Sequence, residues 1–149
     1  MFPIPCPHIN PTSASYRSFF MLNYTYIDIN AWIALMKSLY WVGSSKKDLQ
    51  SLPADVQDVF GYALHVAQTG GKHTQAKPLK GFGGAGVLEV VEDYIGDTYR
   101  AVYTVKFGEA VYVLHTFQKK SSSGIATPKS DMNTIRERLK TAENHAKGA

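Results

Sequence analysis

One cysteine, Cys6, is all that the 149 residues contain. A single thiol forms no intramolecular disulfide, so the fold needs no oxidising compartment, and cysteine-rich zinc sites are excluded. Long apolar runs are missing too. The run from Phe19 to Ile27 is apolar to mixed, but Asn23, Asp28 and Asn30 interrupt it well short of the roughly 20 apolar residues that cross a membrane. The basic start of a signal peptide is also absent. The expectation is a cytoplasmic protein with no membrane partner.

Catalytic motifs are equally sparse. His65 and His73 are separated by a helix end, His8 lies near the start, and no H-x-x-x-H or paired-carboxylate pattern accompanies them. Neither a metal nor another cofactor is expected. There is no G-x-S-x-G nucleophile elbow. The segment "GFGGAG", Gly81 to Gly86, matches G-x-G-x-x-G literally, yet it follows a loop and precedes a strand, whereas a dinucleotide fingerprint follows a strand and opens a helix. It reads as a flexible connection that lets backbone approach closely.

What is present is a mild basic excess, a net charge of +4 with a pI near 9.1, which favours anionic partners without requiring one. Residues 1–35 carry only two charges, Arg17 and Asp28, and four of the seven prolines. They are expected to form an N-terminal extension of low order, or an artefact of start-codon choice, ahead of a functional domain over 36–149.

Periodicity orders the rest. "SLYWVG" (38–43) suits a first strand, and Ser44 or Ser45 can cap a short helix, "SKKDLQSL", that ends before Pro53. Val56, Val59, Phe60, Ala63, Leu64 and Ala67 recur at helical spacing until Gly70-Gly71 stop them. The period then changes to two in "GVLEVVED" (86–93), "TYRAVYTVKF" (98–107) and "AVYVLHTFQ" (110–118), three strands of an antiparallel meander. Met132, Ile135, Leu139 and Ala142 return to helical spacing for a closing helix. This order predicts an α+β fold with helices against one face of the sheet and the other face partly open.

A two-residue turn at Gly108-Glu109 would pair Phe107 with Ala110, and counting back sets Arg100 opposite Phe117 and Val102 opposite His115. Arg100, Lys106, His115, Phe117 and Lys119 then share a face, where cations suit phosphate and rings suit stacking. Tyr99, Tyr103 and Tyr112 are expected to pack the other face. Lys77 and Lys80 read as a solvated rim or as phosphate contacts beside the sheet. His115 reads as a strand filler or as an acid–base group.

Together "WVGSSKKDLQSLP", "AKPLKGFGGAGVLEVVEDYIGDTYRAVYTVKF" and "VYVLHTFQKKSSSGIATPKSDMNTIRERL" resemble the RelE/ParE superfamily of bacterial toxin–antitoxin toxins, in the HigB-like branch that includes phage-derived proteins. The resemblance covers about residues 36–143. It implies a RelE-like α+β fold with two N-terminal helices and a C-terminal helix on a small, antiparallel-rich sheet. It also implies a ribosome-dependent mRNA endoribonuclease that uses no metal and no cofactor and is neutralised by a cognate antitoxin of the helix-turn-helix type. By resemblance, Arg100 in "YRAVY" is the strand cation that stabilises the transition state. His115 is the proton-transfer candidate, Lys119 and Lys120 in "FQKKS" grip phosphates, and Phe117 stacks on a base. Lys80 in "KPLKG" and Lys129 in "TPK" are secondary RNA contacts. The tail "KTAENHAKGA" lacks the tyrosine that some RelE relatives use as a base. Two alternatives stand beside the nuclease: a ParE-like gyrase inhibitor, and a degenerate toxin kept as an RNA-binding module.

Overall fold

The computed structural model describes residues 29–83, 86–120 and 126–148. Most of the expected N-terminal extension, Gly84 of the glycine loop and the "SSSG" segment lie outside the described residues. In chain order the elements are α1 (Ile29–Leu35), β1 (Ser38–Trp41), α2 (Ser45–Gln50), α3 (Ala54–Gln68), β2 (Lys77–Pro78), β3 (Val87–Tyr94), β4 (Asp97–Thr104), β5 (Ala110–Lys119) and α4 (Lys129–Ala146). Among the described residues no helix is long and apolar enough to cross a membrane.

The five strands form one sheet in the order β1-β5-β4-β3-β2. The meander β3–β4–β5 is antiparallel, as its alternation and short connections predict. β1 adds to β5 in parallel, Leu39 beside Val111 and Trp41 beside Val113, because α2 and α3 carry the chain back across one face before the meander begins. The two-residue β2 pairs with β3. It hides in a loop too short and too polar to show a period.

The result is α+β, consistent with a RelE-like fold. Helices lie on both faces of the sheet, which corrects the expectation of a partly open one. On one side Leu49, Val56, Phe60, Ala63, Leu64 and Ala67 of α2 and α3 meet Leu39, Val90, Tyr99, Ala101, Tyr103, Val111 and Val113. On the other, Ile135 and Ala142 of α4, with Met132 and Leu139 half-buried, meet Val87, Val102, Tyr112, Leu114 and Phe117. The first core is the larger, and truncating its fully buried Phe60 to alanine costs about 3–5 kcal/mol.

Facing in β5 turns on one irregularity. Arg100 lies opposite Phe117 and Val102 opposite His115, but Tyr103 pairs with Val113 and Thr104 with Tyr112. One residue of β5, Leu114, is therefore extra, a β-bulge. The turn is longer than two residues, since pairing ends at Thr104, so the predicted Phe107–Ala110 pair does not form. The longer turn and the bulge cancel beyond Val102, which is why the register at Arg100 and His115 matches expectation. Before the bulge they do not cancel. Tyr112 therefore packs under α4 and not with Tyr99 and Tyr103.

Tyr103 generates a stability prediction. Its ring is 1% exposed, and its hydroxyl finds no hydrogen-bond partner among the described residues. Burial pushes the phenol up to about 12 from its ordinary 10.0. A buried, unsatisfied polar group costs about 1–3 kcal/mol, so Tyr103→Phe is expected to hold or raise the unfolding free energy. A phenol raised in the folded state contributes stability that is full below pH 10 and declines as pH rises toward 12. That alkaline decline should be smaller in Tyr103→Phe, with Tyr94 and Tyr112, also raised, carrying the remainder, as urea denaturation between pH 8 and pH 11 will read. A loss above about 1 kcal/mol at neutral pH would mean that the hydroxyl has a partner.

Candidate functional site

The pairing of β1 with β5 stops at Trp41 and Val113. Among the described residues no strand lies beside the outer edge of β5 from His115 onward. An open groove of about 640 Å³ runs along this edge, with His115, Phe117 and Tyr99 on one wall and Asp48, Ser51 and Pro53 on the other. The start of α2 is stapled to the same strand: Ser45 Oγ donates to the carbonyl of Val113 at 3.1 Å, and Thr116 Oγ1 donates to that of Ser45 at 3.0 Å.

His115 stands at the junction of β5 and α4. Its Nε2 lies 3.0 Å from a carboxylate oxygen of Asp131, and its Nδ1 lies 3.3 Å from Nη1 of Arg138. A guanidinium only donates, so Nδ1 must carry its lone pair and Nε2 its proton, which Asp131 accepts. Both ring nitrogens are engaged in this arrangement. The ring also stacks on Phe117, centroids 4.7 Å apart and planes 22° apart. Two hydrogen bonds and one stack leave the imidazole little freedom to rotate.

Arg138 holds this corner together. Its Nη1 also donates to the carbonyl of Leu114 at 2.9 Å, and its Nη2 to Ser44 Oγ at 2.8 Å. Ser44 Oγ in turn donates to the Asp48 carboxylate at 2.7 Å. Ser44 is thus the residue before α2, as expected, yet it makes no side-chain cap to the helix backbone. The Asp48 carboxylate lies 4.0 Å from Arg138. One guanidinium therefore links α4, the bulge in β5 and the start of α2.

Arg100 is differently placed. It is 5% exposed, it pairs with the Glu89 carboxylate of the neighbouring strand at 2.9 Å, and it donates to Thr127 Oγ1 at 2.8 Å, just ahead of α4. Its register partner Phe117 is 9% exposed. Arg100, His115 and Phe117 do adjoin on one face, but α4 covers that face, so they do not form an open cradle. Lys119 ends β5 opposite Thr98, and Lys120 follows it, exposed. Lys80 and Lys129 are exposed beside α4: Lys80 precedes Gly81, which packs against Met132, and Lys129 opens the helix just ahead of Asp131.

Sequence reasoning missed Asp131, Arg138 and Asp48. A signal existed for two of them. Asp131 and Arg138 are seven residues apart, hence on one side of α4, and that side is shared by the buried Ile135 and Ala142. Opposite charges on an apolar helix face need partners on what it packs against. Among the described residues no three of His, Cys, Asp and Glu converge as a metal ion requires.

The close approach of Arg138 depends on Gly43. Its φ is +59°, and a Cβ there would meet Arg138 Nε at 2.9 Å. Gly43→Ala should therefore lose about 1–2 kcal/mol for the left-handed backbone and further stability from displaced charged hydrogen bonds, each worth about 1.5–3 kcal/mol. Gly70→Ala is the control, with φ +84° and nothing within 4 Å of a Cβ. Urea denaturation should show the larger loss at Gly43. Equal losses would remove Arg138 from the account.

Residues 47–140, including Asp48, Arg100, His115, Asp131 and Arg138, match the family model described as phage derived protein Gp49-like (DUF891). No curated protein and no solved structure matches the chain. A match across well over half of the sequence, on the segment that builds both cores and the groove, places the chain in the Gp49-like family of phage-derived proteins, a RelE-like family of toxin-like proteins.

Proposed function

We propose that this protein is the toxin of a toxin–antitoxin pair, of the HigB-like kind, and that it cleaves mRNA on the ribosome without a metal. The observation that carries the reading is His115, held between Asp131 and Arg138 beside an open groove. RNA supplies its own nucleophile. The 2′-hydroxyl attacks the adjacent phosphorus and the 5′-oxygen leaves, so the protein supplies a proton acceptor, a cation for the phosphorane and in-line positioning.

The roles fall on the residues as follows. Arg138, half-buried against His115, carries the cation that a phosphate reaching the imidazole would meet. As its guanidinium turns to the phosphate, it releases Nδ1 of His115, whose lone pair then takes the proton of the 2′-hydroxyl. The imidazolium so formed keeps its Nε2–H on Asp131, which offsets the new charge. The leaving 5′-oxygen takes its proton from solvent water, and the products are a 2′,3′-cyclic phosphate and a 5′-hydroxyl. Phe117 fixes the plane of the imidazole by stacking beneath it. Lys119 and Lys120 contact flanking phosphates. Arg100 acts from behind the site: tied to Glu89 and Thr127, it positions the chain leading into α4. The engagement of Arg100 with Glu89 and Thr127 favours a second reading, a non-enzymatic binder of the ParE-like class that inhibits gyrase.

Induced expression in a bacterial host separates the two. The nuclease reading expects growth arrest with new mRNA ends inside translated codons, mapped by primer extension, and about a 10²–10⁴-fold loss of cleavage in His115→Ala and in Arg138→Ala. Co-expression of a neighbouring helix-turn-helix antitoxin should restore growth. Arrest without new ends, accompanied by DNA-damage signalling, would establish the binder instead. Melting curves for both variants show whether each is folded.

A further inference from the structure

The outward face of α4 carries a line of cations that the groove does not use. At 3.6 residues per turn, Lys129, Arg136, Lys140 and Lys147 fall within a stripe about 40° wide and about 27 Å long. All four are exposed. The buried Ile135 and Ala142 and the clamp residues Asp131 and Arg138 lie on the far side of the helix. None of the ion pairs among the described residues involves Lys129, Arg136 or Lys140. Neighbouring elements extend the line. The Lys80–Phe82 turn docks against it, with the Arg136 guanidinium 5.7 Å from the Phe82 ring centroid. At the other end the Glu143 carboxyl is held below its ordinary value by Lys147, at 2.9 Å, and then by Lys106. Glu143 is the acid that borders the stripe.

Three of these cations stand where an isolated helix would not want them. Lys129 is the first residue of α4, against the positive end of the helix dipole. Arg136 and Lys140 are like charges at i and i+4, which weakens a helix by about 0.2–0.5 kcal/mol. A polyanion along the stripe offsets both. Among the described residues the aromatic at this face, Phe82, lies under the Arg136 guanidinium and leaves little of the apolar anchor that a protein partner uses as a hot spot, whereas a phosphate backbone needs only charge.

We propose that the outward face of α4, with Lys80, is a phosphate-tracking surface for single-stranded RNA, which holds the strand beside the molecule without reading its sequence. The proposal rests on the RNA-directed reading above and adds Arg136, Lys140 and Lys147 to it. Each phosphate neutralised on a single strand contributes about −0.7 to the slope of log K against log salt. Removing two contacts should therefore flatten the slope by about 1.4, so that a fourfold rise in salt weakens the variant about sevenfold less than the wild type.

The test titrates full-length protein with a 2′-O-methylated RNA 12-mer of mixed sequence, which cannot be cleaved, from 50 to 200 mM NaCl. Arg136→Gln/Lys140→Gln should bind more weakly at 50 mM and show the flatter slope. Lys46→Gln/Lys72→Gln, the same loss of charge away from α4, should keep a slope close to the wild-type one. Equal slopes for all three proteins, equal flattening in both variants, or no binding by the wild type at 50 mM would overturn the surface. RNA binding unchanged in the α4 variant, with antitoxin affinity lost, would give the stripe to an acidic protein and overturn it too. Cleavage in cells is scored separately. A flattened slope without any cleavage keeps this surface and sinks the nuclease, while cleavage with an unchanged slope does the reverse.

Discussion

Between Val113 and His115 the ladder with β4 takes in one extra residue, and the facing of every side chain along β5 follows from it. Before Leu114, alternate residues send Val111 and Val113 toward α2 and α3, with Tyr112 toward α4. At the bulge Leu114 and His115 both turn to the α4 side, so that an apolar anchor and an imidazole sit next to each other on one helix. A regular strand offers no such pair, because its period of two puts neighbours on opposite faces. The bulge also turns the Leu114 carbonyl to Arg138, which satisfies an acceptor that strand pairing leaves over.

Around that point, the charged side chains taken out of water each meet a partner on another element. Arg100 has Glu89 and Thr127, His115 has Asp131, and Arg138 has Ser44, Leu114 and, at longer range, Asp48. Such pairs add little net stability, since the cost of dehydrating each charge offsets most of the attraction. Their effect is to specify. α4 is polar overall and brings only Ile135 and Ala142 fully into the core, so apolar burial alone would let it slide or rotate on the sheet. The charged contacts admit one arrangement.

Much of this fold is legible in the sequence because most of its elements are defined locally. The alternation in "TYRAVYTVKF" and the helical spacing from Val56 to Ala67 each need only their own segment, and both elements form where expected. The Arg100–Phe117 register was also readable, though by compensation, a turn longer than two residues being balanced by the bulge. What was not legible depends on pairs distant in the chain. Nothing near Arg100 marks Glu89 as its partner, and nothing near His115 announces Asp131 sixteen residues on or Arg138 beyond it. The expectation of an open face failed for the same reason: spacing shows that α4 has an apolar side, not which face of the sheet it covers. With α4 counted on the covered face, the cations divide into those it buries, Arg100 and Arg138, and those it displays.

The order of the elements makes the two cores unequal in how they come apart. The larger core is closed by residues between Leu39 and Val113, with helices and strands that interlock. The smaller one depends on α4, which stands at the end of the described chain. Local opening of a protein follows such seams and costs less than global unfolding. Lifting α4 would uncover Arg100, part the imidazole from its carboxylate and break the link from Arg138 to Ser44 in one event, while the β-meander and the α2–α3 layer stayed intact. Whatever grips or releases this helix therefore acts on Arg100, His115 and Arg138 at once, and a partner that pinned it down would have no need to enter the groove.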